Sequence, residues 1–183
     1  MKVESTPLPG VLLIEPRVHV DARGWFVETF QRDRYAAAGI AADFVQDNRS
    51  RSRAGALRGL HYQLRRPQGK LIEVTRGEVF DVAVDVRRGS PTFAQWFGAT
   101  LSADDHRQLW IPPGYAHGFL ALSEIVEVAY KCTAGYDPED ARAIRWDDPD
   151  LAIRWPLRGP PILSAADAAA PGLSAAALPV MRP

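Results

Sequence analysis

Residues 79–86 read Val-Phe-Asp-Val-Ala-Val-Asp-Val, and this alternation constrains the chain more than any other stretch. Phe80, Val82, Val84 and Val86 fall on one face of an extended strand, while Asp81 and Asp85 share the other, the period-two pattern of a half-buried strand. An Arg-Arg-Gly-Ser-Pro turn ends it. Similar short runs, candidate strands by the same reading, occur at 11–15, 25–30, 44–48, 57–64, 70–74, 93–101, 108–111, 117–122 and 125–133. Fourteen Gly and fifteen Pro punctuate the chain, so short strands joined by turns fit better than long helices. That many strands predicts an all-β sandwich or barrel.

One peripheral helix is expected from Asp33, as N-cap, through Tyr35 and three alanines to Gly39, which suits the left-handed position past a helix end. Residues 164–183 are rich in Ala and Pro and are expected to dock on the barrel as short helices or to fray in part. With no repeat and no linker, residues 1–183 read as one domain, long enough to bury its own core.

Charge narrows the function. Lys plus Arg number 22 and Asp plus Glu also 22, so there is no global basic field for nucleic acid or an anionic membrane, and an anionic ligand must be met locally. Cys132 is alone, and the first ten residues carry no apolar signal core, which together indicate a cytoplasmic protein. The apolar runs are interrupted well short of membrane-spanning length, as by Glu124 and Glu127.

Polar residues on apolar strand faces are the candidate functional positions, because a buried polar group needs a partner or a task. Tyr130 shares a face with Val126, Val128 and Cys132, and Lys70 shares one with Ile72 and Val74. Both also have plain structural readings, the first as core and the second as a strand-end lysine reaching for solvent. His61 lies in Arg58-Gly-Leu-His-Tyr-Gln63, where Gly59 is expected to leave room beside the imidazole. A Pro-Gly turn delivers His117 to the start of a strand, where it could equally serve as a capping group.

In order along the chain stand Asp21-Ala-Arg-Gly-Trp-Phe-Val-Glu28, Gln46-Asp-Asn48, Leu57-Arg-Gly-Leu-His-Tyr-Gln63, Gln68-Gly-Lys70, Gly77 to Asp85, Ser90-Pro-Thr-Phe93, Trp110-Ile-Pro112, Ala116-His-Gly-Phe119 and Tyr130-Lys131. This series resembles the dTDP-4-dehydrorhamnose 3,5-epimerase family. The resemblance implies a cupin-type jelly-roll β-barrel with a few short peripheral helices, usually a homodimer. It further implies epimerisation at C3 and C5 of dTDP-4-dehydro-6-deoxy-D-glucose to dTDP-4-dehydro-L-rhamnose. His61 would be the base, Asp167 its partner, Tyr130 the opposing acid and Lys70 the group at the sugar's O4. Arg23, Phe26, Glu28, Gln46, Asp47, Asn48, Arg58, Lys70 and His117 would line the nucleotide-sugar site, with Tyr136 stacking on thymine. Arg23 and Arg58 suit the diphosphate because a guanidinium fork pairs with phosphate oxygens.

The chemistry demanded of such a set is coherent. Epimerising a carbon beside a ketone requires a base, stabilisation of the enolate and a proton returned to the other face. An imidazole, with an ordinary pKa of about 6.5, is available as a base near neutral pH. No redox cofactor is required, and none is expected. A metal site is not expected either, since His61 and His117 lack a convincing third ligand.

Three positions depart from the family pattern: Arg49 where many members carry His, Ala141 where a ligand-contacting Glu is common, and Ala166 where a basic residue often precedes the Asp. Glu139, Asp140 and Arg142 are the neighbours that could replace the lost contacts. The alternatives are a single-centre epimerase acting on a related dTDP-4-keto-deoxysugar, a metal-dependent cupin and a non-catalytic sugar-binding cupin.

Overall fold

The structure, a computed structural model, describes residues 1–181. In chain order the strands are β1 (Lys2–Ser5), β2 (Leu12–Glu15), β3 (Val18–Asp21), β4 (Gly24–Val27), β5 (Gln46–Arg53), β6 (Leu57–Gln63) and β7 (Lys70–Arg76). They continue as β8 (Glu78–Asp85), β9 (Trp96–Ser102), β10 (Gln108–Ile111), β11 (Tyr115–Ala121), β12 (Ile125–Cys132) and β13 (Ala141–Ala143). The helices are α1 (Arg32–Ala37) and α2 (Ala165–Ala168).

Two antiparallel sheets form the body. One has the order β1-β2-β10-β7-β12-β5 and the other β13-β6-β11-β8-β9, while β3 and β4 form a separate hairpin. The main core lies between the sheets. Ile72, Val74, Leu109, Ile111, Val126 and Val128 from the first meet Val79, Ala83, Leu101, Phe119 and Ala121 from the second. This is the all-β sandwich expected from the strand pattern, in the jelly-roll form that the resemblance implies, delivered as two facing sheets.

Strand β8 departs from the half-buried expectation. Val79 and Ala83 face the core between the sheets, whereas Val82, Val84 and Val86 pack outward against Ile144, Leu151, Leu173 and Leu178. The chain from Ile144 to Leu178 covers that outer face, so Asp81 and Asp85 end up on the inner one, fully buried. Each is therefore hydrogen-bonded: Asp81 to His117, and Asp85 to Arg87, Ser90 and Thr92.

The Ala-rich end docks. Leu173, Ala176 and Leu178 are buried, the N–H of Arg88 donates to the Pro179 carbonyl, and that of Met181 donates to the Arg88 carbonyl. Residues 182 and 183 of that segment lie outside the described residues. Helix α1 is capped by Gln31, whose side-chain oxygen accepts from the Arg34 N–H at 2.7 Å. Asp33, expected as the cap, instead sits in the first turn, where its charge favours the dipole. Gly39 takes φ +92° just past the helix, as expected. Among the described residues, no helix is long and apolar enough to cross a membrane.

A bulge between β6 and β11 positions the site. His61 pairs with His117, but the next pair is Arg58 with Phe119, so Gly59 and Leu60 together oppose Gly118. Arg58 and His61, three residues apart, thereby share the inner face. Gly59 has φ +132°, and a Cβ on it would come within 2.5 Å of the Gly118 Cα. It permits backbone approach between strands and does not serve to make space for the imidazole.

Candidate active site

A cavity of about 400 Å³ opens between the sheets at one end of the sandwich. The first sheet supplies Gln46 and Asn48 from β5, Lys70 from β7 and Tyr130 from β12. The second supplies His61, Tyr62 and Gln63 from β6, with Ala141 and Arg142 from β13. Gln68 and Tyr136 complete the wall from loops.

His61 faces this space with its side chain about half exposed, and its Nε2 lies 2.5 Å from Oδ1 of buried Asp167. Asp167 is fixed in turn. Its Oδ2 accepts from the Ser164 hydroxyl at 2.8 Å, and its N–H donates back to Ser164 Oγ at 3.0 Å, which makes Ser164 the N-cap of α2. Burial alone would raise the Asp167 pKa. The hydrogen bond and charge of His61, with the Ser164 hydroxyl and the Gly59 N–H, outweigh it and hold the carboxyl below its usual range. An ionised Asp167 accepts from Nε2–H, so in the neutral imidazole Nδ1 is the nitrogen free to take a proton.

Lys70 and Tyr130 stand across the cavity from His61, on the other sheet. Desolvation drives the Lys70 ammonium below the ordinary lysine range, against the opposing pull of Cys132 and Asp81. Desolvation, with Cys132, pushes the Tyr130 phenol up, and Arg58 offsets part of this. The first is thus a readier proton donor than a surface lysine, and the second remains a neutral phenol well past neutral pH.

At the mouth, Gln46 Oε1 accepts from the Tyr136 N–H at 2.8 Å, and Gln46 Nε2 donates to Asn48 Oδ1 at 2.9 Å. Tyr136 is exposed beside them. The cavity therefore gathers His61, Lys70, Tyr130, Gln46, Asn48 and Tyr136, with Asp167 behind the base.

Other residues expected near the substrate are not in the cavity wall of this chain. The alternation of β5 turns Asp47 to the outer face, where it pairs with Lys131 at 3.0 Å. Arg49 is on that outer face too, paired with Glu127, so this departure from the family pattern does not touch the cavity. Arg58, on the inner face near Tyr130, donates from Nε to Ser52 Oγ at 3.0 Å and from Nη2 to the Arg51 carbonyl at 3.2 Å. His117 is buried, with Nε2 2.9 Å from Asp81, and is not part of the cavity wall. Glu28 pairs with Arg34 at 2.7 Å, while Arg23 and Phe26 are exposed on the β3–β4 hairpin, Arg23 paired with Asp21.

Tyr62, Gln63, Gln68 and Ser164 are not singled out as site residues by the sequence, and Arg142 only as a neighbour that could replace a lost contact. Gln63 could have been, since it shares strand parity with His61; the pairing of β13 with β6 that brings in Arg142 left no signal. Among the described residues, no three His, Cys, Asp or Glu side chains converge as a metal-binding group.

A jelly roll whose end cavity holds a His–Asp pair facing a lysine and a tyrosine defines a class: carbon-acid epimerases of the cupin type. A model of the dTDP-4-dehydrorhamnose 3,5-epimerase family matches residues 5–175, and the chain belongs to that family. A Pseudomonas aeruginosa dTDP-4-dehydrorhamnose 3,5-epimerase is 56% identical over 168 residues, 91% of this chain and 93% of that protein. The dTDP-6-deoxy-D-glucose-3,5-epimerase of Legionella pneumophila, solved with dTDP-4-keto-L-rhamnose, superposes with a TM-score of 0.97 at 50% identity and covers 100% of this chain and 99% of that one. A 3'-monoepimerase from Streptomyces bikiniensis, solved with dTDP-quinovose, gives 0.89 at 36% identity, covering 96% and 93%.

Proposed function

We propose that this chain epimerises C3 and C5 of dTDP-4-dehydro-6-deoxy-D-glucose to dTDP-4-dehydro-L-rhamnose, for dTDP-L-rhamnose synthesis, with the described chain working as one unit. The observation that carries this is the 2.5 Å contact of His61 with buried Asp167, facing Lys70 and Tyr130 across one cavity.

The sugar enters with its C4 ketone oxygen toward Lys70. His61 Nδ1 removes the proton on the carbon beside the ketone, and Asp167 stabilises the imidazolium. General-base help of this kind contributes about 10² to 10⁴ in rate. Negative charge moves to O4, where the Lys70 ammonium meets it; one preorganised donor there is worth roughly 3 kcal/mol of barrier. Tyr130, on the opposite sheet, returns a proton to the other face of the carbon. Both C3 and C5 flank the same ketone, so turning the ring presents each in turn to one base and one O4 site. Solvent water takes up the proton held by His61 and restores that of Tyr130, which resets the pair before the second carbon is processed.

We also infer a cytoplasmic homodimer. The β3–β4 hairpin exposes Val20, Trp25 and Phe26 at 79%, 62% and 67%, a patch that favours being covered. A second copy seated there would bring Arg23 and Phe26 to its own cavity, which reconciles their expected role with their distance from the cavity of their own chain. Incubation with dTDP-4-keto-6-deoxyglucose, followed by NMR, tests the activity: the rhamno-configured ketosugar is expected, and unchanged substrate would sink the assignment.

A further inference from the structure

The cavity has an uneven charge. Two cationic side chains, Lys70 and Arg142, line it, and no carboxylate does. Lys70 is part-buried in the wall, on the strand beside Tyr130. Arg142 lies on β13 directly opposite Tyr62, one residue from Ala143, the cross-strand partner of His61. Its Nη1 donates to the carbonyls of Glu139 at 2.9 Å and Ala141 at 2.7 Å. Those two bonds fix the guanidinium against its own turn, and among the described residues Nε and Nη2 make no hydrogen bond. A planar fork held at one end with its other donors free is prepared for an anion.

The neighbouring acids do not neutralise it. Asp140 is fully buried and receives the backbone N–H groups of Arg65 at 2.9 Å and Arg66 at 2.8 Å. Glu139 is exposed and stands outside the cavity wall, and Ala141 contributes no charge. Arg58, also expected for the phosphates, donates from Nε to Ser52 and from Nη2 to the Arg51 carbonyl, so Arg142 is the guanidinium in the wall itself.

We propose that Arg142 is a substrate-anchoring residue that holds the diphosphate of the nucleotide sugar through Nε and Nη2, leaving Lys70 free for the sugar oxygen. This rests on the nucleotide-sugar reading above. A diphosphate placed there is met by a charge-assisted fork, and the distance between the two cations along the cavity sets how deep the sugar sits.

Titration calorimetry of the full chain with dTDP and with thymidine tests the proposal. Arg142→Ala is expected to weaken dTDP by about 10- to 100-fold, the value of a hydrogen bond to a charged group, while thymidine binding stays as in the wild type. Arg142→Gln, which keeps an N–H donor without the charge, is expected to show the same selective loss, and Arg142→Lys to recover part of it. Wild-type affinity for dTDP in both the Ala and Gln variants overturns the proposal. So does an equal loss for thymidine, which would mean that the side chain only supports the turn. A wild-type protein that ignores dTDP would instead bring down the nucleotide-sugar reading, and the role of Arg142 with it.

Discussion

His61 and His117 are direct cross-strand partners on β6 and β11, yet each turns to a different carboxylate: His61 to Asp167 at 2.5 Å, His117 to Asp81 at 2.9 Å. The first pair faces the cavity and the second is buried behind it, so their substitutions should separate. His61→Ala is expected to lower turnover by about 10² to 10⁴ with little change in melting temperature. His117→Ala strips Asp81 of its partner and should cost about 2 kcal/mol of stability. Thermal melts beside initial rates decide the matter; a His117→Ala protein as stable as wild type would contradict the structural role.

Asp167 depends on Ser164 as well as on His61. Ser164→Ala removes both a helix cap and a hydrogen bond to Oδ2, so a stability loss of about 1 kcal/mol is expected from the cap. It should also reduce kcat, because the carboxylate loses one of the groups that hold its pKa down. The sign follows: Asp167 is ionised above its depressed folded pKa, and its stabilising contribution disappears as pH falls through that value. Ser164→Ala should therefore lose activity at a higher pH on acidification than wild type does. Superimposable acid limbs would show that Ser164 acts only as a cap.

How far the sequence foretold this site depends on the residue. The alternations that set Lys70 and Tyr130 among apolar neighbours are period-two signals, and both residues line the cavity. The bulge at Gly59 and Leu60 is a matter of backbone register, which leaves no trace in side-chain periodicity; Gly59 was read for the space it lacks instead of the strand it lets approach. On β8 the apolar face was legible but its surroundings were not, because the chain that covers it arrives about 60 residues or more later. Asp47 and Asn48 are neighbours in one motif, yet strand parity sends one outward and the other to the cavity. Motif membership does not encode that difference.

The pH dependence at the alkaline end should report Lys70. Its ammonium is the form that stabilises the enolate, and burial places its pKa below the usual 10.5. Activity is therefore expected to fall as pH rises through a value below 10.5, before the raised Tyr130 phenol ionises. Lys70→Met should lose roughly 3 kcal/mol of transition-state stabilisation and show no such limb. A wild-type kcat that stays level to pH 10.5 would refute this assignment.

The hairpin predicts assembly. Light scattering should find wild type as a dimer, and the Trp25→Ser, Phe26→Ser double variant as a monomer, since large aromatic anchors dominate such interfaces. KM should rise in parallel, by roughly tenfold or more, if the partner's hairpin completes the site. A monomeric wild type with full activity would leave the hairpin without this role.

Solvent deuterium distinguishes double from single epimerisation. The same Lys70 stabilises the enolate formed from either neighbour of C4, so incubation in D₂O should place deuterium at both C3 and C5. Exchange at each carbon should depend on His61, because one base on one wall serves both after the ring turns. Tyr130→Phe should spare abstraction more than reprotonation from the opposite sheet, so deuterium would enter with the original configuration faster than inverted product forms. Ala141 makes this more than a formality: it lines the cavity without a polar group, so the sugar's hold depends on fewer side-chain contacts there. Should label appear at one carbon only after prolonged incubation with active enzyme, ring turning does not occur in this cavity, and the chain is a single-centre epimerase.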